Sequence, residues 1–254
     1  MKQYVQQAFL KMGLGSEFIQ YPLDAYEDKQ QYSKFDWIEC DLIKSRKDPR
    51  PESYHPADPK QLITISHMDT SNNWRARRDH VLKRTNVYKS LKKVIQSAKE
   101  NKISLAIFKP KTMDNFGWKA DTTKEWDPKK LEEMRNRYQQ NELFEDSSWR
   151  RTFDVIPKLP YNFYYKFTDI EDKKSCMQIL DWEIGALYWK CLRNSENNEQ
   201  IALEKVKNKY FDTFIKLDTH FFLGTTQQFH SIAPNPWVII GVFCIPKEQQ
   251  FELF

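Results

Sequence analysis

Apolar and polar residues alternate through Phe35–Ile43 (FDWIECDLI), with one change of phase at Trp37 and Ile38, which predicts a half-buried strand. Gln61–Ser66 predicts a second strand, weighted by Leu62, Ile63 and Ile65. Between them, in Ser45–Pro59, prolines at 49, 51, 56 and 59 predict an extended loop without regular structure. The period then lengthens. Asp69–Asn73 supplies turn and cap residues before a helix from about Trp74 to Lys83. Val87–Glu100 sets Tyr88, Leu91, Val94, Ile95 and Ala98 on one helical stripe, with its lysines outside the stripe and facing water. Ile103–Phe108 (ISLAIF) predicts a short buried strand ended by Pro110.

The first thirty residues carry a weaker pattern, in which Val5, Phe9 and Met12 predict one face of a short helix. Trp118–Trp126 reads as irregular, Pro128–Asn141 as a polar helix capped by Asp127, and Glu145–Trp149 as loop. The C-terminal part is patterned most clearly. Phe163–Thr168 and Cys176–Leu180 predict strands around the charged turn DIEDKKS. Ile184, Leu187, Tyr188 and Cys191 fall at helical spacing, and a second helix over about Glu199–Lys216 turns Leu203, Val206, Tyr210 and Phe214 inward. Phe221–Thr225 and Trp237–Ile245 complete the order as strands. The expected fold class is therefore α+β, with mixed or antiparallel strands, packed helices and a C-terminal half ordered ββααββ. Pro157 and Pro160 mark the expected boundary between a basic region, 1–156, and a C-terminal region, 157–254, which can still form one compact domain together.

Charge adds a second layer. The chain carries a formal +5, yet seventeen Lys/Arg against six Asp/Glu between Lys44 and Lys111 give that stretch +11 and leave −6 for the rest. Such a block predicts a surface for a polyanion, most naturally a nucleic acid. Arg46, Lys47 and Arg50 flank a loop carrying Tyr54 and His55. Trp74, Arg75, Arg77 and Arg78, followed by Lys83 and Arg84, combine cations with an aromatic on one predicted helix, and Lys89, Lys92 and Lys93 follow on the next. Packed as a hairpin, the two helices would merge these residues into one patch. The aromatic-bearing loop favours RNA or a single strand over duplex. The leading expectation is a nucleic-acid-binding protein, a subunit of a ribonucleoprotein or of an antiviral defence complex.

A second constellation is Asp169, Asp181 and Glu183, on and after the predicted hairpin. Carboxylates at the ends of paired strands hold Mg²⁺ in metal-dependent nucleases, so these three are the candidate catalytic residues, with Lys166 and Lys190 as candidate cations. The competing reading makes Asp181 a helix N-cap and Glu183 a first-turn complement to the helix dipole. A third expectation is a non-catalytic subunit whose basic patch meets an acidic protein.

Other classes have no support. Six glycines, with no GxGxxG and no GxxxxGK[ST], exclude a dinucleotide-binding or P-loop reading. No RNP, KH or zinc-finger signature is present, and no metal-ligand spacing identifies a metal centre. His67 and Asp69 are expected in a local structural role, and Trp182 and Trp189 in core packing. No run of eighteen apolar residues predicts a membrane span, and MKQYVQQAFLKMG lacks a signal-peptide core. Four widely spaced cysteines predict reduced thiols in a cytoplasmic protein.

Overall fold

A computed structural model describes residues 2–6, 34–58, 63–123, 125–129, 131–132 and 157–247. The chain groups into a larger unit, Met1–Gly117 with Tyr164–Phe254, and a smaller one, Trp118–Phe163.

In the larger unit a first sheet is built on β2 (Asp36–Lys44), which pairs antiparallel with β1 (Lys2–Gln6), β3 (Tyr54–Pro56) and β4 (Ile63–His67). The β2–β4 register shifts between Trp37 and Ile38, where the apolar alternation changes phase. That slip keeps Ile38 and Cys40 buried while Trp37 packs from another side. Two expectations are corrected. Val5 lies in strand β1, opposite Ile38, and not in a helix; Phe9 and Met12 lie outside the described residues. The proline-rich loop contains β3, because Pro56 stands at its last position and removes only its own donor from the ladder.

Helix α1 (Ser71–Arg78) opens with Asn72, Asn73 and Trp74 at positive φ, a conformation that asparagine tolerates, and passes into a π-helical turn, Asp79–Lys83. Strand β5 (Val87–Tyr88) comes next, so the expected helix over Val87–Glu100 starts late. Ser90 is its N-cap, accepting the Lys93 amide at 3.3 Å, and α2 runs Leu91–Lys99. Tyr88 belongs to the strand, opposite Phe108. Strand β6 (Leu105–Phe108) lies parallel to β5, as a helical crossover requires.

The second sheet has the order β5-β6-β10-β11-β9-β8-β7, with β7 (Thr112–Ala120), β8 (Tyr161–Thr168), β9 (Lys174–Ile179), β10 (Asp218–Thr225) and β11 (Trp237–Ile245). Helices α3 (Trp182–Arg193) and α4 (Glu199–Lys207) fall between β9 and β10, so the ββααββ order is realised. The α+β class holds, with antiparallel and mixed strands and packed helices. Strand β7 extends into residues expected to be irregular.

Chain length forces this sheet to curl. Strands β6 and β7 stand five places apart, about 24 Å if the sheet were flat. Only Lys109–Lys111 separate them, and four Cα steps reach at most about 15 Å. The curl closes around aromatic rings: Phe108–Phe167 at 5.5 Å, Tyr165–Phe221 at 5.2 Å and Phe116–Tyr165 at 5.5 Å between centroids. Each such ring contributes about 1.5–3 kcal/mol by leaving water. A second cluster joins Phe35 and Met68 of the first sheet's surroundings with Val81, Ile107, Phe222, Phe243 and Ile245. That cluster anchors α1 and the π turn on the curled sheet.

In the smaller unit, Lys158 pairs with Asp121 at 3.0 Å and donates to the carbonyl and hydroxyl of Thr123 at 2.6 Å. Asp127 accepts the Lys129 amide at 2.9 Å, as a cap should. The expected helix beyond residue 132 and the loop Glu145–Trp149 lie outside the described residues. Among the described residues no helix is long and apolar enough to cross a membrane.

Candidate nucleic-acid interface

The basic block divides into cations the fold has consumed and cations it displays. Arg50 is buried, its guanidinium wrapped around Asp48 at 2.5–3.0 Å and donating to the Thr225 carbonyl at the end of β10. Burial raises the Asp48 carboxyl, but hydrogen bonds from Arg50 and Ser53 outweigh it and hold the group below its ordinary range. Around this pair the loop is stitched down: Gln227 donates to the Lys47 carbonyl at 2.7 Å, and the Ser104 amide and hydroxyl donate to Glu52 at 2.7 and 2.5 Å. Arg50 is therefore a corrected expectation, a structural residue and not a phosphate ligand. Arg46, Lys47 and Tyr54 remain exposed; the Lys44 ammonium lies 4.8 Å above the Tyr54 ring.

The helical cations separate in the same way. Arg78 is buried and donates to the Pro246 carbonyl at 2.7 Å, so it too is corrected. Arg77 is half-buried, donating to the Met68 carbonyl at 2.7 Å and to His67 Nε2 at 3.2 Å, with its guanidinium 4.3 Å from the Phe35 ring and 5.1 Å from Trp74. His67 in turn presents Nδ1 to Asp36 at 2.5 Å, the local structural role its position implies. Trp74 packs toward Phe243 with centroids 6.3 Å apart, which removes it as an open stacking platform. Arg75, Lys83, Arg84, Lys89, Lys92 and Lys93 are exposed. Arg75 and Lys83 flank Asp79 at 3.9 and 2.8 Å, one carboxylate between two cations.

The two groups do not merge. Arg50 is tied to Thr225, whereas Arg78 is tied to Pro246, next to Ile245, which pairs with Asp218 at the opposite end of β10. Eight residues of strand separate those ends, about 24 Å. Lys89 belongs with the α1 group: Tyr88 beside it accepts the Lys109 amide, and the Lys109 ammonium pairs with Asp218 at 2.6 Å. The displayed cations therefore fall within the sequence stretch Arg75–Lys93.

The carboxylates are not assembled as a catalytic trio. Asp169 is fully buried and accepts three backbone amides: Leu91 at 2.9 Å, Glu171 at 2.9 Å and Lys173 at 3.0 Å. It closes the β8–β9 turn and holds the start of α2. Asp181 is the N-cap of α3, accepting the Glu183 amide at 2.9 Å and the Tyr210 hydroxyl at 3.3 Å. Burial, with repulsion from Glu183, pushes its carboxyl up to about 6. Glu183 pairs with Lys34 at 2.9 Å. Among the described residues no three His, Cys, Asp or Glu side chains gather as a metal-binding group.

The histidine near the far end of β10 is also structural. His230 receives the Thr225 hydroxyl at Nδ1 (2.8 Å) and donates from Nε2 to Asn101 (3.0 Å). Burial and the nearby Arg50 lower its pKa, in keeping with a neutral ring. Sequence reasoning did not single out Lys34 or Lys209, and Trp182 is 42% accessible where core packing was expected. Glu183 and Lys190, seven residues apart, were the available signal of a polar α3 face.

No curated protein and no solved structure matches this chain. Residues 19–83 match a second domain of unknown function, DUF8758, and the junction between the two matched segments falls at Arg84, inside the displayed basic stretch. Residues 85–254, two thirds of the sequence, match the model of the domain of unknown function DUF8757, and the chain belongs to that family.

Proposed function

We propose that this protein binds nucleic acid, single-stranded RNA in preference to duplex, through Arg75–Lys93. The observation that carries the reading is the composition of that displayed stretch: eight Lys/Arg against the single carboxylate Asp79, with six of the cations exposed. Phosphate contacts to such side chains position a strand without reading its sequence. Its displayed cations lie at the end of α1, in the turns after it and at the start of α2, an irregular arrangement that favours a flexible strand able to adapt to it. The four cysteines are free thiols, in keeping with a cytoplasmic setting, where a ribonucleoprotein or a defence complex would recruit it.

Fluorescence anisotropy with labelled oligouridine across a salt series tests the reading. The logarithm of affinity should fall linearly with the logarithm of salt, by about 0.7 for each phosphate contact on a single strand. Absence of binding at low salt, or a salt-independent affinity, would overturn it.

A second reading, a protein-interaction subunit, is favoured by β4. All five of its residues are exposed, Ile63 at 60% and Ile65 at 48%, and among the described residues it pairs only with β2. It predicts a co-purifying protein that Ile63→Lys with Ile65→Lys releases; unchanged co-purification would remove it.

A further inference from the structure

A cleft opens between α3 and the turns that follow α4, with a volume of about 360 Å³. That is at the small end of ligand sites, which run to about 1,000 Å³. Its walls combine two chemistries. Trp182, Leu187, Tyr210 and Phe214 give an aromatic and aliphatic surface, and Lys190 and Lys209 bring ammonium groups to the same space.

Local structure explains why the cleft exists. Helix α4 does not continue in register; Asn208–Thr213 form a π-helical turn and Phe214–Lys216 a 3₁₀ turn. Such widened turns re-aim side chains and recur at functional sites. Here the turn presents Lys209, Tyr210 and Phe214 together. Across from it, Ala186 offers only a methyl group at the middle of the α3 face. One wall is fixed from behind: the Tyr210 hydroxyl donates to Asp181, and the Tyr165 hydroxyl donates to the Tyr210 carbonyl. A wall held this firmly loses little freedom when a ligand arrives.

The electrostatics favour an anion. Glu183 is the one carboxylate of the lining, and the Lys34 ammonium 2.9 Å away answers it, leaving Lys190 and Lys209 in excess. Lys34 also lies beside Phe35. Its ammonium lies 5.9 Å from the Phe35 ring, and the Arg77 guanidinium lies 4.3 Å from the same ring. The Phe35 ring thus lies between the cleft and the start of the basic stretch.

We infer that this cleft binds one nucleotide monophosphate unit, its base against Trp182 and Phe214 and its phosphate between Lys190 and Lys209. The attribution of that unit to an RNA strand rests on the function proposed above; the affinity for a free nucleotide does not. A flat ring and a dianion in one ligand satisfy both walls, which a purely apolar or purely anionic molecule would not.

Calorimetric titration of the full chain with adenosine 5′-monophosphate, adenosine and inorganic phosphate tests this. The nucleotide should bind saturably, and adenosine and phosphate each far more weakly. Trp182→Ala should lower nucleotide affinity about ten-fold, within the range for loss of one stacked base. Lys190→Glu with Lys209→Glu should abolish binding, and Lys190→Ala should weaken it. All of these side chains are exposed, and an unchanged melting temperature will confirm that the fold is intact. Reversing Arg75, Lys83 and Arg84 to Glu should leave the affinity for the free nucleotide unchanged. Failure of the nucleotide to bind, equal binding by the Trp182→Ala protein, or phosphate binding as well as the nucleotide would each overturn the inference. Oligouridine binding without nucleotide binding would overturn it and leave the proposed function standing. Nucleotide binding without oligouridine binding would support the cleft and overturn the function.

Discussion

The loop Arg46–Arg50 and the stretch Arg75–Lys93 come from one basic block and have opposite fates. In the loop Arg50 is inside the protein, closed around Asp48 and fastened to β10. In the stretch, six cations stay in water, and two of them, Arg75 and Lys83, share one aspartate. Charge counting treats the two as equals. The difference is whether a carboxylate and a backbone carbonyl are within reach, since a guanidinium enters the interior only when its donors are satisfied.

The comparison breaks most readily at Arg50. Arg50→Ala strands the buried Asp48 carboxylate and should lower stability by about 3–5 kcal/mol in chemical denaturation, with native-state affinity for oligouridine unchanged. A stable Arg50→Ala protein with weakened RNA binding would return Arg50 to the interface. Next in size is Asp169→Ala, which orphans three amides and should cost about 3 kcal/mol with or without Mg²⁺. A wild-type melting temperature that rises on adding Mg²⁺, with the rise lost in the Asp169→Ala protein, would revive the metal reading.

Asp181 sharpens the picture through pH. Its folded pKa of about 6 lies above its ordinary 3.8, so the folded protein holds a proton that the unfolded chain has released. Stability from this group is fully present below pH 3.8 and is lost as pH rises toward about 6, by on the order of 2–3 kcal/mol. Asp181→Asn, which keeps a capping oxygen, should flatten that part of the stability profile; a profile unchanged by the substitution would contradict the assignment. The smallest effect on stability belongs to the displayed stretch. Reversing Arg75, Lys83 and Arg84 to Glu should change the folding free energy by about 1 kcal/mol or less, because exposed ion pairs contribute little. A loss several times larger would mean these side chains hold the fold.

What the chain made legible follows from how local each signal is. The period of two in Phe35–Ile43 and of 3.6 in Ile184–Cys191 survives folding, and the phase change at Trp37 and Ile38 returned as a register shift. The cap of Asp181 was legible too, because its partner is the amide two residues on. Arg50 and Asp169 were not. Each has local partners, but the contacts that draw them inside are to Thr225 and Leu91, 175 and 78 residues away, and no spacing rule connects them. The start of α2 was misread because Val87 and Tyr88 extend its apolar stripe by chance, while Ser90 decides where the helix begins. The cleft depends on a π turn, which leaves no period in the sequence to read.

The central claim is that Arg75–Lys93, and not the loop, is the surface a nucleic acid meets. Its most direct test is oligouridine affinity at one low salt concentration for two folded variants, Arg46→Glu with Lys47→Glu and Arg75→Glu with Lys83→Glu and Arg84→Glu. The account predicts a loss of about ten-fold or more for the second, with a shallower salt slope, and little change for the first. Equal losses, or a larger loss from the loop pair, would contradict it.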